Sequence, residues 1–177
     1  MLGAITVEGR GASDRLLFEI ASLLQADGFR LAGAVQENIE REGRRRADMV
    51  LHLLAEGTLR QISQDLGAQS RGCCLDPAAL EEVVARVEVA LHDPVDLLIV
   101  NKFGKAEIEG RGFRPLIGQA LVEDIPVLVA VGRGSREGFD AFAEGMAEWI
   151  DPSPDAALAW CRAAIGHPAG QHRAQTG

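Results

Sequence analysis

Residues 96–100, DLLIV, followed by Asn101 and Lys102, decide the fold class. The apolar residues of this stretch run on without the polar alternation of a half-exposed strand. Such a run is typical of a parallel strand that helices cover on both faces. We therefore expect residues 96–100 to form the central strand of an α/β domain.

The residues before this stretch show the alternation expected of a βαβ unit. Leu2–Val7 is a strand-length apolar run that stops at a glycine-containing turn. Apolar residues then recur at helical spacing from Ser13 to Gly28, with Ser13 or Asp14 as the expected N-cap. A second apolar run spans residues 31–36. This order predicts a parallel sheet with a right-handed crossover.

The remaining elements complete one domain with a small insertion. Residues 49–54 and 58–63 predict an antiparallel hairpin, although a short helix fits the first run nearly as well, and the charged stretch 37–47 is expected to be a hairpin tip or a mobile loop. Further helices are predicted from 76–77 to 93–94 and at 114–122, 138–148 and 154–165, and a strand at 126–131. We expect a three-layer α/β/α domain over residues 1–165 and a disordered tail over residues 166–177.

Composition argues against several classes of function. The net charge of −8 disfavours broad attraction to nucleic acid or to an anionic membrane. Cys73, Cys74 and Cys161 have no metal-ligand spacing and no even disulfide framework, which indicates a reducing compartment. No stretch approaches the about 20 apolar residues of a membrane span, and the N-terminus lacks a signal-peptide pattern. We therefore expect a cytoplasmic protein with no membrane insertion and no metal site.

Several polar segments directly follow predicted strands. In an open parallel sheet, ligands bind outside the carboxyl ends of the strands. The sheet is therefore expected to gather these segments at one edge. They are Glu8 to Ser13, Gln36, Asn101 to Lys105 and Gly132 to Arg136.

The first of these segments has the glycines of a phosphate-binding loop but not its charges. Such a loop uses glycines for close backbone approach, a lysine for the β and γ phosphates and a Ser or Thr for magnesium. Asp14 and Arg15 stand where the lysine and the hydroxyl are expected. The backbone amides of the turn remain available to hold an anion at the helix N-terminus. The candidate residues are Gly9, Gly11, Ala12 and Ser13.

The segment after the central strand lacks the acidic pair with which P-loop enzymes hold magnesium and activate water. Asn101 and Lys102 stand in its place. A protonated lysine does not coordinate magnesium, and an amide is a poor general base. Glu107 and Glu109 are the nearby carboxylates, and Glu107 is the candidate substitute base. Surface charge in a loop is the alternative interpretation of both.

Residues 96–114, DLLIVNKFGKAEIEGRGFR, resemble the segment around the second nucleotide motif of the nucleoside-triphosphatase family first described from thermophiles. Phe103-Gly104-Lys105, Glu107 and Phe113-Arg114 match that segment, whereas residues 101–102 depart from its acidic pair. More closely, the chain to about residue 150 resembles a related bacterial family, domain of unknown function 2478. The resemblance implies a P-loop-NTPase-like fold.

The resemblance to the second family rests on short segments spread along the chain. They are Val35-Gln36, Asp48-Met49, Gln64-Asp65-Leu66-Gly67, Gly72-Cys73 with Leu75-Asp76, residues 101–105 and Gly110-Arg111-Gly112. That family is often associated with molybdenum transport genes. The association implies molybdate as a candidate ligand.

Three hypotheses of function follow. The first is a non-hydrolysing P-loop-type protein that binds a small oxyanion or a nucleotide phosphate, the turn amides being joined by Asn101, Lys102, Lys105 and Arg111. The second is an active nucleoside triphosphatase with Glu107 as its base. The third is a protein-interaction module, or a homo-oligomer, that uses the loop 41–46 and the Cys73-Cys74 turn. The sequence identifies no cofactor.

Overall fold

The computed structural model describes residues 1–9, 11–40, 47–64 and 75–166. Within these ranges the chain alternates between strands and helices, and a 3-10 turn lies at Arg133–Ser135. In chain order the elements are β1 (Leu2–Ile5), α1 (Ala12–Ala26), β2 (Leu31–Ile39), β3 (Asp48–Leu53), β4 (Thr58–Gln61), α2 (Pro77–Ala90), β5 (Leu97–Phe103), α3 (Lys105–Ile108), α4 (Arg114–Val122), β6 (Val127–Val131), α5 (Arg136–Ala143), β7 (Ala147–Trp149) and α6 (Pro154–Ile165).

The described strands form one sheet in the order β4-β3-β2-β5-β6-β1-β7. Strands β2, β5, β6, β1 and β7 are parallel, whereas β3 pairs antiparallel with both β2 and β4. The predicted mainly parallel sheet and the antiparallel hairpin are therefore confirmed. Strand β5 lies fourth of the seven, so the prediction that residues 96–100 form the central strand is also confirmed.

Helices cover both faces of the sheet. In β5, Leu98 and Val100 pack in one core with α2, α4 and α5. Leu97 and Ile99 face the other way and pack with α1 and α6. Because both faces of β5 are buried, apolar residues are favoured at successive positions and do not alternate with polar ones. The three-layer α/β/α architecture is confirmed, and the arrangement is P-loop-NTPase-like.

Strand β2 is longer than its apolar run predicts. The run ends at Gln36, but the strand continues to Ile39 because Glu37, Asn38 and Ile39 pair with residues of β3. The first residues of the stretch predicted as a loop are therefore strand. Since β2 extends beyond its neighbour β5 in this direction, it carries Asn38 out over the carboxyl edge of the sheet.

The helix predicted at 138–148 is wrong in its second half. Helix α5 ends at Ala143, where Glu144 and Gly145 take positive φ angles of 48° and 82°. Left-handed residues stop an α-helix and reverse the chain. Residues 147–149 then form β7, which pairs in parallel with β1. The short helix α3 was also not predicted.

Several predicted features lie outside the described residues. These are the loop 41–46, the Cys73-Cys74 turn and the tail from residue 167 onward, whereas Gly166 is the C-cap of α6. Among the helices that the structure describes, none is long and apolar enough to cross a membrane.

Candidate functional site

The polar segments predicted to meet do follow the carboxyl ends of parallel strands. Glu8 to Ser13 follows β1, residues 101–105 end and follow β5, and Gly132 to Arg136 follows β6, which lies between them. Contact across this edge is direct, because Glu8 Oε1 lies 2.5 Å from Arg133 Nη2. The sheet thus brings the predicted segments to one edge.

The turn after β1 presents the start of a long helix to this edge. Gly9 and Gly11 have φ angles of 101° and 67°, and Gly11 is the N-cap of the 15-residue helix α1. Among the described residues, no side chain caps this end. The first amides of a helix and its dipole favour an anion. Because Gly11 is the N-cap, the prediction of Ser13 or Asp14 at that position is wrong, and the amides of both residues belong to the first turn of α1.

The position of the helix start also changes the comparison with a phosphate-binding loop. In that motif a lysine and a Ser or Thr directly follow the last glycine. Because Gly11 directly precedes α1, Ala12 stands at the lysine position and Ser13 at the hydroxyl position. The assignment of Asp14 and Arg15 to those positions is corrected accordingly. The lysine is missing in either alignment.

Asp14 is a buried acid in the first turn of α1, with 5% of its surface exposed. Its Oδ2 accepts a hydrogen bond of 2.6 Å from Asn38 Nδ2, and Asn38 Oδ1 accepts one of 2.9 Å from Gln36 Nε2. Asp14 Oδ1 has no hydrogen-bond partner among the described residues. This chain of contacts ties α1 to the far end of β2 and leaves one carboxylate oxygen unsatisfied.

Asn101 is the second buried polar group at this edge, with 3% of its surface exposed. It pairs in register with Ala130 and stands two residues after Ile99, and both of these pack on the α1 side of the sheet. Side chains alternate along a strand, so Asn101 also faces that side. Neither Oδ1 nor Nδ2 has a partner in the part of the chain that the structure describes. A buried side-chain amide whose oxygen and nitrogen both lack a hydrogen-bond partner is unusual in a folded protein.

The predicted cations lie on the surface. Lys102 is exposed beside Asn101. Lys105 Nζ lies 3.8 Å from Glu109 Oε1, and the Arg111 guanidinium also pairs with that carboxylate. Lys105 and Arg111 therefore gather around Glu109, whereas the turn amides and Asn101 belong to the edge itself.

Glu107 is buried, with 3% of its surface exposed, and holds the loop after β5 together. Its Oε2 accepts a hydrogen bond of 2.9 Å from the amide of Gly104, and its Oε1 accepts one of 3.1 Å from the amide of Phe113. Both carboxylate oxygens are thus engaged by the backbone. Glu109 is the carboxylate that matches the alternative of a surface charge.

Sequence reasoning missed Asn38 as a residue of this edge. Asn38 lies in the stretch predicted as a loop, yet it contacts Asp14. The polar pair Gln36 and Asn38, spaced two apart, was the signal of a strand that continues with one polar face. Ser135, which lies within the predicted segment Gly132 to Arg136, is buried in the 3-10 turn after β6.

The opposite edge of the sheet carries a cavity of about 440 Å³ beside the starts of β2 and β5. Its charged lining residues are Arg30 and Asp93, and Arg30 donates hydrogen bonds of 2.6 and 3.1 Å to Asp96. Those bonds hold the pKa of the Asp96 carboxyl below its usual value. Within the described ranges, no three His, Cys, Asp or Glu residues form a group that would hold a metal ion.

Comparison with known proteins identifies the family. No solved structure matches the chain. The molybdenum import ATP-binding protein ModC 2 of Bradyrhizobium diazoefficiens is 33% identical over 161 residues, which are 91% of this chain and 18% of that relative. The chain thus spans less than a fifth of the relative's length. The sequence model of the family described as "Protein of unknown function (DUF2478)" matches residues 2–160, so the resemblance is confirmed and the chain belongs to this family.

Proposed function

We propose that the carboxyl edge of the sheet binds the phosphate group of a nucleotide, or a small oxyanion, without ordinary hydrolysis. The main support for this proposal is that the side chain of Asn101 is buried without a hydrogen-bond partner among the described residues. An amide that is buried with no partner destabilises the fold by about 1–3 kcal/mol, and both of its polar atoms lack one. A ligand at the edge would form hydrogen bonds with the Asn101 amide, and removing the cost of the unpaired amide would contribute to the free energy of binding.

The start of α1 supports an anion as this ligand. Glycines at positions 9 and 11 let the backbone turn closely before the helix, and no described side chain occupies its first amides. Backbone amides at a helix N-terminus recognise phosphate through hydrogen bonds and the helix dipole. Gly9, Gly11, Ala12 and Ser13 are the proposed contacts, and Lys102 adds positive charge beside Asn101.

The missing acids support binding without hydrolysis. Asn101 and Lys102 replace the acidic pair that would hold magnesium and activate water. Glu107 is a weak candidate for that role, because backbone amides already engage both of its oxygens. The protein therefore retains a phosphate-binding edge but lacks the groups that cleave a phosphoanhydride.

The relative suggests which ligands to test. Its name joins ATP binding to molybdenum import, and those words describe that protein. For this chain we propose ATP, inorganic phosphate and molybdate as probes. We place the binding in the cytoplasm, because three cysteines without an even pairing favour a reducing compartment.

Replacing Asn101 by leucine is expected to weaken the binding of whichever probe the wild-type protein binds by about tenfold or more. A hydrogen bond to a charged ligand contributes about 1.5–3 kcal/mol, and about 1.4 kcal/mol is a factor of ten in affinity. Leucine fills nearly the same space, so the loss reports the amide. Titration calorimetry of both proteins with ATP, phosphate and molybdate measures the ratio.

Gln119→Leu is the matched control. It removes an amide from α4, on the other face of the sheet, where Gln119 donates a hydrogen bond to Glu123. Its affinities should equal those of the wild type. The proposal fails if the wild type gives neither heat nor a thermal shift with any probe, or if Asn101→Leu binds as tightly as the wild type.

A further inference from the structure

A carboxylate lies at the helix end that the proposed anion would occupy. A Cβ placed on Gly11, the N-cap of α1, would lie 3.8 Å from Asp14 Oδ2. The other oxygen, Oδ1, is buried and has no partner among the described residues. The edge therefore combines amide donors, which attract an anion, with an acceptor that repels one.

Amide donors next to a carboxylate distinguish anions that carry a proton from anions that are fully ionised. An ionised carboxylate only accepts hydrogen bonds. A fully ionised oxyanion also only accepts, so beside Asp14 it would set lone pairs and negative charge against each other in a buried place. An oxyanion that carries a proton instead donates an O–H···O⁻ hydrogen bond, which is short and strong.

We propose, on the basis of the proposed function, that Asp14 makes the site selective for a phosphate that carries a proton. Inorganic phosphate keeps at least one proton at neutral pH, and a phosphate monoester keeps one on part of its molecules, because its second pKa is about 6. Sulfate and molybdate carry none there. The amides of α1 and the Asn101 side chain hold the ionised oxygens, and Asp14 Oδ1 accepts the remaining proton's hydrogen bond.

A bound metal ion is a poorer explanation than a protonated ligand for the unpaired Oδ1 of Asp14. Magnesium and calcium are held by several oxygen ligands, commonly including more than one carboxylate. In the described part of the chain no three acids, histidines or cysteines form a group that could hold a metal ion, and Asn38 already donates a hydrogen bond to Oδ2. A single donor from the ligand would give Oδ1 the hydrogen bond that it lacks.

The test is an anion series on the wild-type protein and on Asp14→Asn. Calorimetry near neutral pH compares inorganic phosphate, AMP, sulfate and molybdate. We expect the wild type to bind phosphate or AMP at least tenfold more tightly than sulfate and molybdate. Comparing AMP with inorganic phosphate shows whether the bound phosphate group belongs to a nucleotide or is free phosphate. Tighter binding of either one than of sulfate and molybdate supports the inference.

Asp14→Asn replaces the carboxylate by an amide that also donates, so sulfate and molybdate should gain about tenfold relative to phosphate. Asp27→Asn is the control, because it removes the same charge at the other end of α1, where Asp27 pairs with Arg162. Its ratios should match the wild type. Circular dichroism checks that each variant is folded.

Equal or tighter binding of sulfate or molybdate by the wild type would overturn the inference and leave the proposed function standing. An unchanged ratio in folded Asp14→Asn would also overturn it. If Asp14→Asn does not fold, the wild-type ratio decides. No binding of any anion overturns the proposed function itself.

Discussion

Gly33→Ala is expected to lower the free energy of unfolding by about 3 kcal/mol or more. Gly33 lies in β2 with φ +99°, which is unfavourable for any residue with a side chain. A Cβ at this position would lie 1.9 Å from the backbone oxygen of Ile99 in the central strand. A backbone atom inside the sheet has little room to move, so the β2–β5 pairing must open.

Gly28→Ala separates the clash from the backbone strain. Gly28 has a similar φ of +88°, but a Cβ there meets nothing within 4 Å. We expect a loss of about 1 kcal/mol for this control. Urea unfolding followed by circular dichroism gives both values. Equal losses for the two variants would mean that β2 and β5 do not approach each other as described.

Glu107→Ala is expected to lower the free energy of unfolding by about 2–4 kcal/mol. The buried amide of Phe113 loses its acceptor at a cost of about 1–3 kcal/mol, and the half-buried amide of Gly104 loses a hydrogen bond of about 1 kcal/mol. Phe113 is 1% exposed in the core. The chain is also built around this carboxyl, since a Cβ on Gly112 would lie 2.2 Å from Glu107 Oε1. Alanine leaves that space empty.

Two further variants make this measurement specific. Glu107→Gln keeps one oxygen acceptor and should lose less stability than the alanine variant. Glu109→Ala removes an exposed carboxylate two residues away, and exposed ion pairs contribute about 1 kcal/mol or less. Chemical denaturation of the three variants should therefore rank them with Glu107→Ala lowest. A stable Glu107→Ala protein would show that the carboxyl does not hold this loop.

The sheet was predictable where burial acts on both faces of a strand. The run at 97–100 has no polar residue because α1 packs on one side and α4 on the other. Strand β7 was not predictable in this way. It has only three residues, its Glu148 is exposed, and it pairs with β1 alone. A strand that short carries no periodicity, and the one sequence cue to the end of α5 is Gly145, a residue type that commonly ends a helix.

The site was predictable in its place but not in its contacts. Strand ends in a parallel sheet must share an edge, which located the turn at Gly9 and Asn101 together. The contact of Asp14 with Asn38 depends on β2 extending past its apolar run through pairing with β3. The burial of Glu107 depends on the chain folding back to Phe113. Neither contact follows from a local sequence pattern, because Asp14 and Asn38 are 24 residues apart and the six-residue separation of Glu107 and Phe113 matches no periodic element.

If this edge binds phosphate without cleaving ATP, ATP binding and ATP hydrolysis can be separated in a single reaction. Purified protein is incubated with terminally labelled ATP and magnesium, and bound label and released phosphate are counted in the same sample. We expect protein-bound label that Asn101→Leu diminishes, and no phosphate release above the rate in buffer. Rapid, magnesium-stimulated release of phosphate would contradict this expectation.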